Sequence, residues 1–221
     1  MNRKPTNTPV LDSLYREFLL QEDTASFIRK VALRYTPATL ERLASHGSTT
    51  SRRGAILALG FVGDYESNAV LGRALVDRDR GVRMLAENGI RTVWCRAGSE
   101  IQRQQLEAVI RLNQSEQHQD ALRRATSLIH NAPWFAEAWN QRAIAHFQLG
   151  RFQEGARDCH QTLEINPYHF GAAAGMGHCQ LKLGQPAVAL ESFRRALKLN
   201  PGLESIRSQV ALLERTLERE F

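Results

Sequence analysis

The sequence predicts an all-α protein, an α-solenoid of stacked helical hairpins. Apolar residues recur at spacings of three and four along nearly the whole chain, as on one face of a helix, and no segment alternates as a β-strand does. Two parts of the sequence also repeat internally, with periods of 31 and 34 residues. With 221 residues, 43% of them hydrophobic, the chain can bury a core or a series of small cores without metals or disulfides.

Start and stop signals divide this helical pattern into about a dozen short helices. Thr36 before Pro37 is typical of an N-cap followed by a first-turn proline. Residues 1–10 contain two prolines and little to bury, so we expect a disordered N-terminus. Five glycines fall where the apolar periodicity lapses and are expected to end helices: Gly47, Gly63, Gly98, Gly150 and Gly184.

Charge and cysteine usage indicate the compartment. The net charge of +6 is spread over both halves, and all but four of the basic residues are Arg, which suits fixed ion pairs. Cys95, Cys159 and Cys179 are odd in number and form no CxxC motif, which favours a reducing compartment. No signal-peptide core and no run of about 18 apolar residues is present, so we expect a soluble, cytoplasmic protein without a membrane segment.

The first half carries the 31-residue repeat. Residues 52–60 read RRGAILALG and residues 83–91 read RMLAENGIR, so that Ala55 aligns with Ala86. Residues 36–97 thereby resemble the short class of HEAT repeat, which is also found in bilin-lyase-like proteins. We expect residues 11–97 to form a HEAT-like helical domain.

The second half carries the 34-residue repeat. The copy from Ala136 keeps a small residue, Ala143, and ends on Pro167. The copy from Phe170 is more regular, with small, aromatic and proline positions at Gly177, Ala189, Phe193, Ala196 and Pro201. This pattern resembles the tetratricopeptide repeat, whose small residues let two helices approach while the aromatic residue fills the gap between them.

The resemblance to tetratricopeptide repeats covers residues 102–220. A weaker copy from Gln102 keeps Ala121 and Pro133, and residues 204–220 resemble the single helix that covers the last repeat of such arrays. We therefore expect residues 98–221 to form TPR-like repeats with a C-terminal capping helix.

Motifs for catalysis or cofactor binding are absent from the sequence. It contains no GxGxxG, GxxxxGK[ST], GxSxG or HExxH. The dipeptides at 159–160 and 178–179 pair Cys with His, but adjacent helical residues diverge by about 100°, so we expect buried thiols rather than a zinc site. His169 has no carboxylate or nucleophile at a spacing that local helix geometry would bring to it. We predict no cofactor, no metal and no enzyme activity.

Two alternative functions remain open for the first half of the chain, and the first of them rests on a cluster of arginines. The six residues concerned are Arg52, Arg53, Arg73, Arg78, Arg80 and Arg83. They could bind nucleic acid, but no aromatic residues are interleaved to stack on bases, so we expect them to pair with Asp64, Asp77 and Asp79 instead. A bilin-lyase-like HEAT enzyme is the other alternative, and it would need a chromophore site that the sequence does not locate.

The function that the resemblance implies is noncatalytic: a scaffold or adaptor that binds a partner protein or peptide in the solenoid groove. Tetratricopeptide grooves use the second, fifth, sixth, ninth and thirteenth residues of each first helix. Here these are Glu137, Asn140, Gln141, Ile144 and Gln148, then Gly171, Ala174, Gly175, His178 and Lys182. The two-carboxylate clamp of some family members needs Lys and Asn at the fifth and ninth places, which this chain lacks, so chaperone-tail binding is disfavoured. Ile144 either faces the groove or packs against the neighbouring hairpin.

Overall fold

The computed structural model describes residues 9–218, and over this range it contains thirteen α-helices and no β-strand. The all-α prediction is confirmed. In chain order the helices are α1 (Val10–Gln21), α2 (Thr24–Ala32), α3 (Pro37–His46), α4 (Thr49–Val62), α5 (Asn68–Ala74), α6 (Arg80–Cys95), α7 (Glu100–Gln114), α8 (His118–Asn131), α9 (Ala136–Gln148), α10 (Phe152–Ile165), α11 (Phe170–Lys182), α12 (Pro186–Leu199) and α13 (Glu204–Leu217).

The helices divide between two compact units, with the boundary between Val93 and Trp94, near the end of α6. Within the predicted disordered N-terminus, residues 1–8 lie outside the described residues, and Val10 already begins α1. None of the helices between residues 9 and 218 is long and apolar enough to cross a bilayer.

Local signals explain where the helices of the first unit begin and end. The Thr36 side chain accepts a hydrogen bond from the Thr39 amide and so caps α3, with Pro37 in the first turn as the sequence predicts. Ser48 caps α4 in the same way. Gly47 and Gly63 follow α3 and α4 directly, at two of the predicted stops.

Helix α4 is the centre of the first unit. Eight of its fourteen residues are buried, and it packs against α1, α2, α3 and α5. A β-carbon added at Gly60 would lie 3.0 Å from the Gly89 α-carbon, and one added at Gly89 would lie 2.9 Å from the Gly60 α-carbon. The backbones of α4 and α6 therefore touch at this point, which only a residue without a side chain permits.

The second unit is a row of three hairpins followed by a single helix. Helices α7 and α8, α9 and α10, and α11 and α12 pair in turn, each hairpin packs on the next, and α13 packs on α12. Gly150 and Gly184 make the turns of the second and third hairpins, both with φ of 72°. This spacing of 34 residues is the period seen in the sequence.

The third hairpin shows why the repeat positions have their residue types. Phe193 is 0% exposed, and a β-carbon added at Gly177 would lie 2.6 Å from its ring, so the ring of α12 rests on the bare backbone of α11. Ala189 and Ala196, on the same helix, are also completely buried. Ile206 and Val210 of α13 join this core, which is how the last helix covers the last hairpin.

Candidate functional site

The predicted groove residues lie on α9 and α11, the first helices of the second and third hairpins. On α9, Glu137 is only 6% exposed, whereas Ile144 is 38% exposed. Asn140 and Gln141 are half-buried, and Gln148 is exposed. The five positions therefore comprise a buried acid, two half-buried amides and two exposed side chains in the second half of the helix.

The carboxylate of Glu137 is a hydrogen-bond hub. Its Oε2 lies 2.9 Å from Nε2 of His169, and its Oε1 accepts from Asn140 Nδ2 at 3.0 Å and from Gln141 Nε2 at 2.8 Å. Burial by itself raises the pKa of this carboxyl, but hydrogen bonds from His169, Gln141 and Asn140 outweigh it and hold the pKa below 4.5. The acid is thus ionised and already bonded inside the protein.

His169 is fixed from both sides of its ring. Its Nδ1 accepts the Ala172 amide proton at 2.9 Å at the start of α11, so the ring proton is on Nε2 and is donated to Glu137. The Trp94 ring stacks on the imidazole with a centroid distance of 4.0 Å and an interplanar angle of 18°. Both residues are almost fully buried, which makes this a structural cluster beneath the predicted groove.

Sequence reasoning missed this cluster because its members are far apart in the chain. Glu137 and His169 are separated by 32 residues, and Trp94 precedes both repeats. One signal was present in the sequence: His169 stands directly before a helix, where a ring nitrogen can cap the first turn as Ser or Asp would.

A second polar contact links the first hairpin to the second. Asn113 of α7 donates its side-chain amide to the backbone carbonyl of Gln141 at 2.9 Å and to its Oε1 at 3.0 Å. Because Asn140 and Gln141 also donate to Glu137, the polar groups of this face bond mainly to each other. Ile144 therefore stands on a surface whose neighbouring polar groups are largely satisfied.

The part of the predicted groove on α11 has mainly small side chains and carries little charge. Gly171, Ala174 and Gly175 are partly exposed. His178 meets the ring of Phe193 edge-on at 5.0 Å, and burial lowers the pKa of its imidazole. Lys182 is exposed in the last turn of α11, where a cation is favoured by the helix dipole.

Two members of the arginine cluster of the first unit form ion pairs with aspartates. Arg52 binds Asp77 through two hydrogen bonds of 2.9 and 3.0 Å, and Arg53 binds Asp79 through two of 2.7 Å. Hydrogen bonding to Arg53 lowers the pKa of Asp79 from 3.8 to about 2.

The expected pairing is thus confirmed for Asp77 and Asp79. Asp64 instead accepts the Glu66 amide proton at 3.0 Å and caps a short 3-10 turn. Of the other arginines, Arg83 donates to the backbone carbonyls of Asp77 and Arg78.

No group of three or more His, Cys, Asp or Glu side chains arranged to hold a metal occurs among residues 9–218. Cys159 and Cys179 are both buried, 2% and 1% exposed. The dipeptides that contain them therefore place one thiol each in the core, while His160 is exposed.

Consecutive helical hairpins with a shared face of first helices define a helical-repeat module. Comparison with family models assigns two of the hairpins more closely: residues 136–169 and residues 171–203 match tetratricopeptide repeats. The chain therefore contains two tetratricopeptide repeats, at the positions of α9–α10 and α11–α12. The weaker copy predicted from Gln102 corresponds to the hairpin of α7 and α8.

Two curated proteins are related in sequence. A TPR repeat-containing protein of Rhizobium etli is 28% identical over 141 residues, which cover 64% of this chain and 69% of that protein. A Protein SGT1 homolog of Bos taurus is 34% identical over 82 residues, 37% of this chain. The chain spans only 24% of the length of the bovine relative.

A solved structure of a TPR domain has a fold similar to the helical repeats of this chain. The first TPR domain of Spaghetti (RPAP3), bound to the HSP90 peptide SRMEEVD, matches with a TM-score of 0.53 and 19% identity, covering 55% of this chain and 96% of that chain. At this identity the match supports the fold of the repeats.

Proposed function

We propose that the protein is a noncatalytic adaptor that binds a segment of a partner protein on the face formed by α9 and α11. The observation that carries the proposal is the side chain of Ile144, 38% exposed in the middle of that face. An exposed aliphatic residue surrounded by internally bonded polar groups is what a hydrophobic contact with a partner requires, because few polar groups must lose water when the contact forms.

The rest of the face supports a partner segment with an apolar centre. Asn140 and Gln141 both donate to Glu137, so these three side chains are not free to bind ligand groups strongly. The small residues of α11 leave room for a chain to approach. Lys182 provides a positive charge at one end, which we expect to act on the rate of encounter more than on affinity.

The comparisons favour peptide binding and leave the peptide's chemistry open. The RPAP3 domain named above was solved with a peptide that ends in Glu-Glu-Val-Asp. The clamp for such tails needs Lys and Asn at the fifth and ninth places of the first helices. This chain has Asn140 and Ile144 in one repeat and Ala174 and His178 in the next, so we propose a partner segment other than an acidic C-terminal tail.

We further propose that the protein is not an enzyme, is cytoplasmic and divides into two domains after residue 97. The absence of enzyme activity rests on the lack of a catalytic motif in the sequence. A cytoplasmic location rests on three cysteines that are all free thiols. The division into residues 11–97 and 98–221 rests on the change of repeat period from 31 to 34 residues.

The HEAT-like character of residues 36–97 also remains a proposal. Both segments that match tetratricopeptide models lie outside this range. Support comes from the contact of Gly60 on α4 with Gly89 on α6, since these two helices carry the two copies of the 31-residue repeat. The bidentate pair of Arg52 and Asp77 adds to it, since HEAT-like proteins often pair Arg with Asp along the array.

The test begins with affinity capture from the native host by the full chain, followed by identification of the bound protein and measurement of its affinity. Replacing Asn140 and Ile144 together with Ala should weaken binding on the order of tenfold, equal to about 1.4 kcal/mol, and Ile144→Ala by itself should leave the melting temperature unchanged. The single variant Ile144→Ala should produce most of the loss, because Asn140 also donates to Glu137.

Val188→Ala is the matched control. Val188 is 50% exposed on α12, the second helix of its hairpin, so the same kind of truncation is made away from the proposed face. Unchanged affinity in the Asn140 and Ile144 variants, together with loss of binding on changes within residues 52–91, would move the working surface to the first unit and overturn the proposal.

A further inference from the structure

Two buried cysteines meet where α10 and α11 cross. Each lies four residues after a glycine, in the segments 155–159 and 175–179. A β-carbon added at Gly155 would lie 3.0 Å from the Cys179 sulfur, and one added at Gly175 would lie 3.2 Å from the Cys159 sulfur. Each sulfur thus packs on the glycine of the opposite helix, and the two missing side chains bring the thiols together.

The two thiols perturb each other's ionisation. Hydrogen bonding from the Cys159 thiol lowers the pKa of the Cys179 thiol. The same hydrogen bond, together with burial, raises the pKa of Cys159. The pair therefore has one sulfur that ionises more readily and a second that holds a proton beside it.

We propose that Cys159 and Cys179 are an oxidation site that closes to a reversible disulfide on exposure to a hydroperoxide. The reciprocal contact of each sulfur with the glycine of the opposite helix places the two sulfur atoms close together on neighbouring helices. Nothing in this inference depends on what the α9 and α11 face binds.

The reaction is a two-electron oxidation with a balanced course. The Cys179 thiolate attacks the peroxide, an S–O bond forms, the O–O bond breaks, and the leaving hydroxide takes a proton to become water. The Cys159 sulfur then attacks the sulfenic acid sulfur of Cys179, an S–S bond forms, and a second water leaves with the Cys159 proton. In total two thiols lose two protons and two electrons, and one hydrogen peroxide becomes two waters.

The bond would join the two tetratricopeptide repeats directly. Cys159 lies in residues 136–169 and Cys179 in residues 171–203, so a disulfide fixes α10 against α11 across the boundary between the matched segments. The third cysteine, Cys95, provides an internal reference, because burial raises the pKa of its thiol to about 12 and makes it a poor nucleophile.

The sequence makes the test direct. Trypsin cuts after Arg157 and Lys182 with no Lys or Arg between, so one tryptic peptide holds both cysteines of the pair and a different one holds Cys95. The reduced full chain is treated with hydrogen peroxide under native conditions, unreacted thiols are blocked with iodoacetamide, and the digest is weighed by mass spectrometry. We expect peptide 158–182 to lose the mass of two hydrogen atoms and to escape blocking, and dithiothreitol to restore it.

Variants assign the bond. Cys95→Ala should keep the loss of two hydrogens in peptide 158–182, whereas Cys159→Ala and Cys179→Ala should abolish it. The wild-type digest decides the question even where a variant fails to fold. Four results would overturn the proposal: full blocking of both thiols after peroxide, oxygen addition without disulfide, a crosslink to Cys95, or a disulfide between two chains.

Discussion

Replacing Phe193 with Ala tests the core on which the repeat register depends. Phe193 is 0% exposed and packs on Gly177 and on the edge of His178. Removing its ring forfeits about 2–3 kcal/mol of burial and leaves a cavity, so the total loss should be about 3–5 kcal/mol. A loss of this size is a large part of the roughly 5–15 kcal/mol that stabilises a typical domain.

A second substitution separates the contact between Phe193 and Gly177 from nonspecific destabilisation of the protein. Gly177→Ala should cost about 1–3 kcal/mol, because the new β-carbon would lie 2.6 to 2.9 Å from three ring atoms of Phe193. With Phe193 already replaced by Ala that clash is gone, and the added methyl group should be neutral or stabilising.

Chemical denaturation followed by circular dichroism gives the four free energies of this double-mutant cycle. Val188→Ala, exposed on the same helix, should change the free energy of unfolding by no more than about 0.5 kcal/mol. Additive effects of the Gly177 and Phe193 changes, or a Phe193→Ala loss below about 1 kcal/mol, would refute the packing and with it the positions assigned to the groove.

Three further outcomes are expected. The pKa of Glu137 is held below 4.5 in the folded protein, so the stability that this carboxylate contributes is present above that pH and is lost as the pH falls through the pKa of the folded state. Glu137→Gln should therefore reduce the fall of the melting temperature at acid pH. Parallel profiles of melting temperature against pH for the two proteins would contradict this. Arg53→Ala should raise the pKa of Asp79 from about 2 towards 3.8 in an NMR titration, and an unmoved value would assign the shift to another group. Gly89→Ala should lower the melting temperature despite the better helix propensity of Ala, since its β-carbon would meet the Gly60 backbone; a raised melting temperature would mean that α4 and α6 do not touch.

The elements predicted from the sequence are those whose determinants are local or periodic. Thr36 and Pro37 mark the start of α3 within a few residues, and the 34-residue spacing places Phe193 beside Gly177 through the repeat pattern alone. The ion pair of Arg52 and Asp77 was predictable because arginines and aspartates are concentrated in a short segment, where few arrangements pair all the charges.

The candidate site was predictable only in outline. The resemblance to tetratricopeptide repeats predicts that Glu137 faces a groove, but it does not show that His169, from the next helical hairpin, reaches the same carboxylate and encloses it. The meeting of Cys159 and Cys179 likewise depends on how two helices cross. Such contacts join residues that are distant in sequence, and their distances are set by packing between elements rather than by any pattern within one.

The turns at Gly150 and Gly184 have a stereochemical consequence. Both have φ of 72°, and apart from the adjacent residues no atom lies within 4 Å of where a β-carbon would stand, so chirality, not space, disfavours other residues there. An L-alanine would be strained by about 1–2 kcal/mol, whereas a D-alanine adopts a positive φ without strain. D-alanine would also reduce the conformational entropy of the unfolded chain relative to glycine. A chemically synthesised chain with D-alanine at Gly150 and Gly184 should therefore have more stable second and third hairpins.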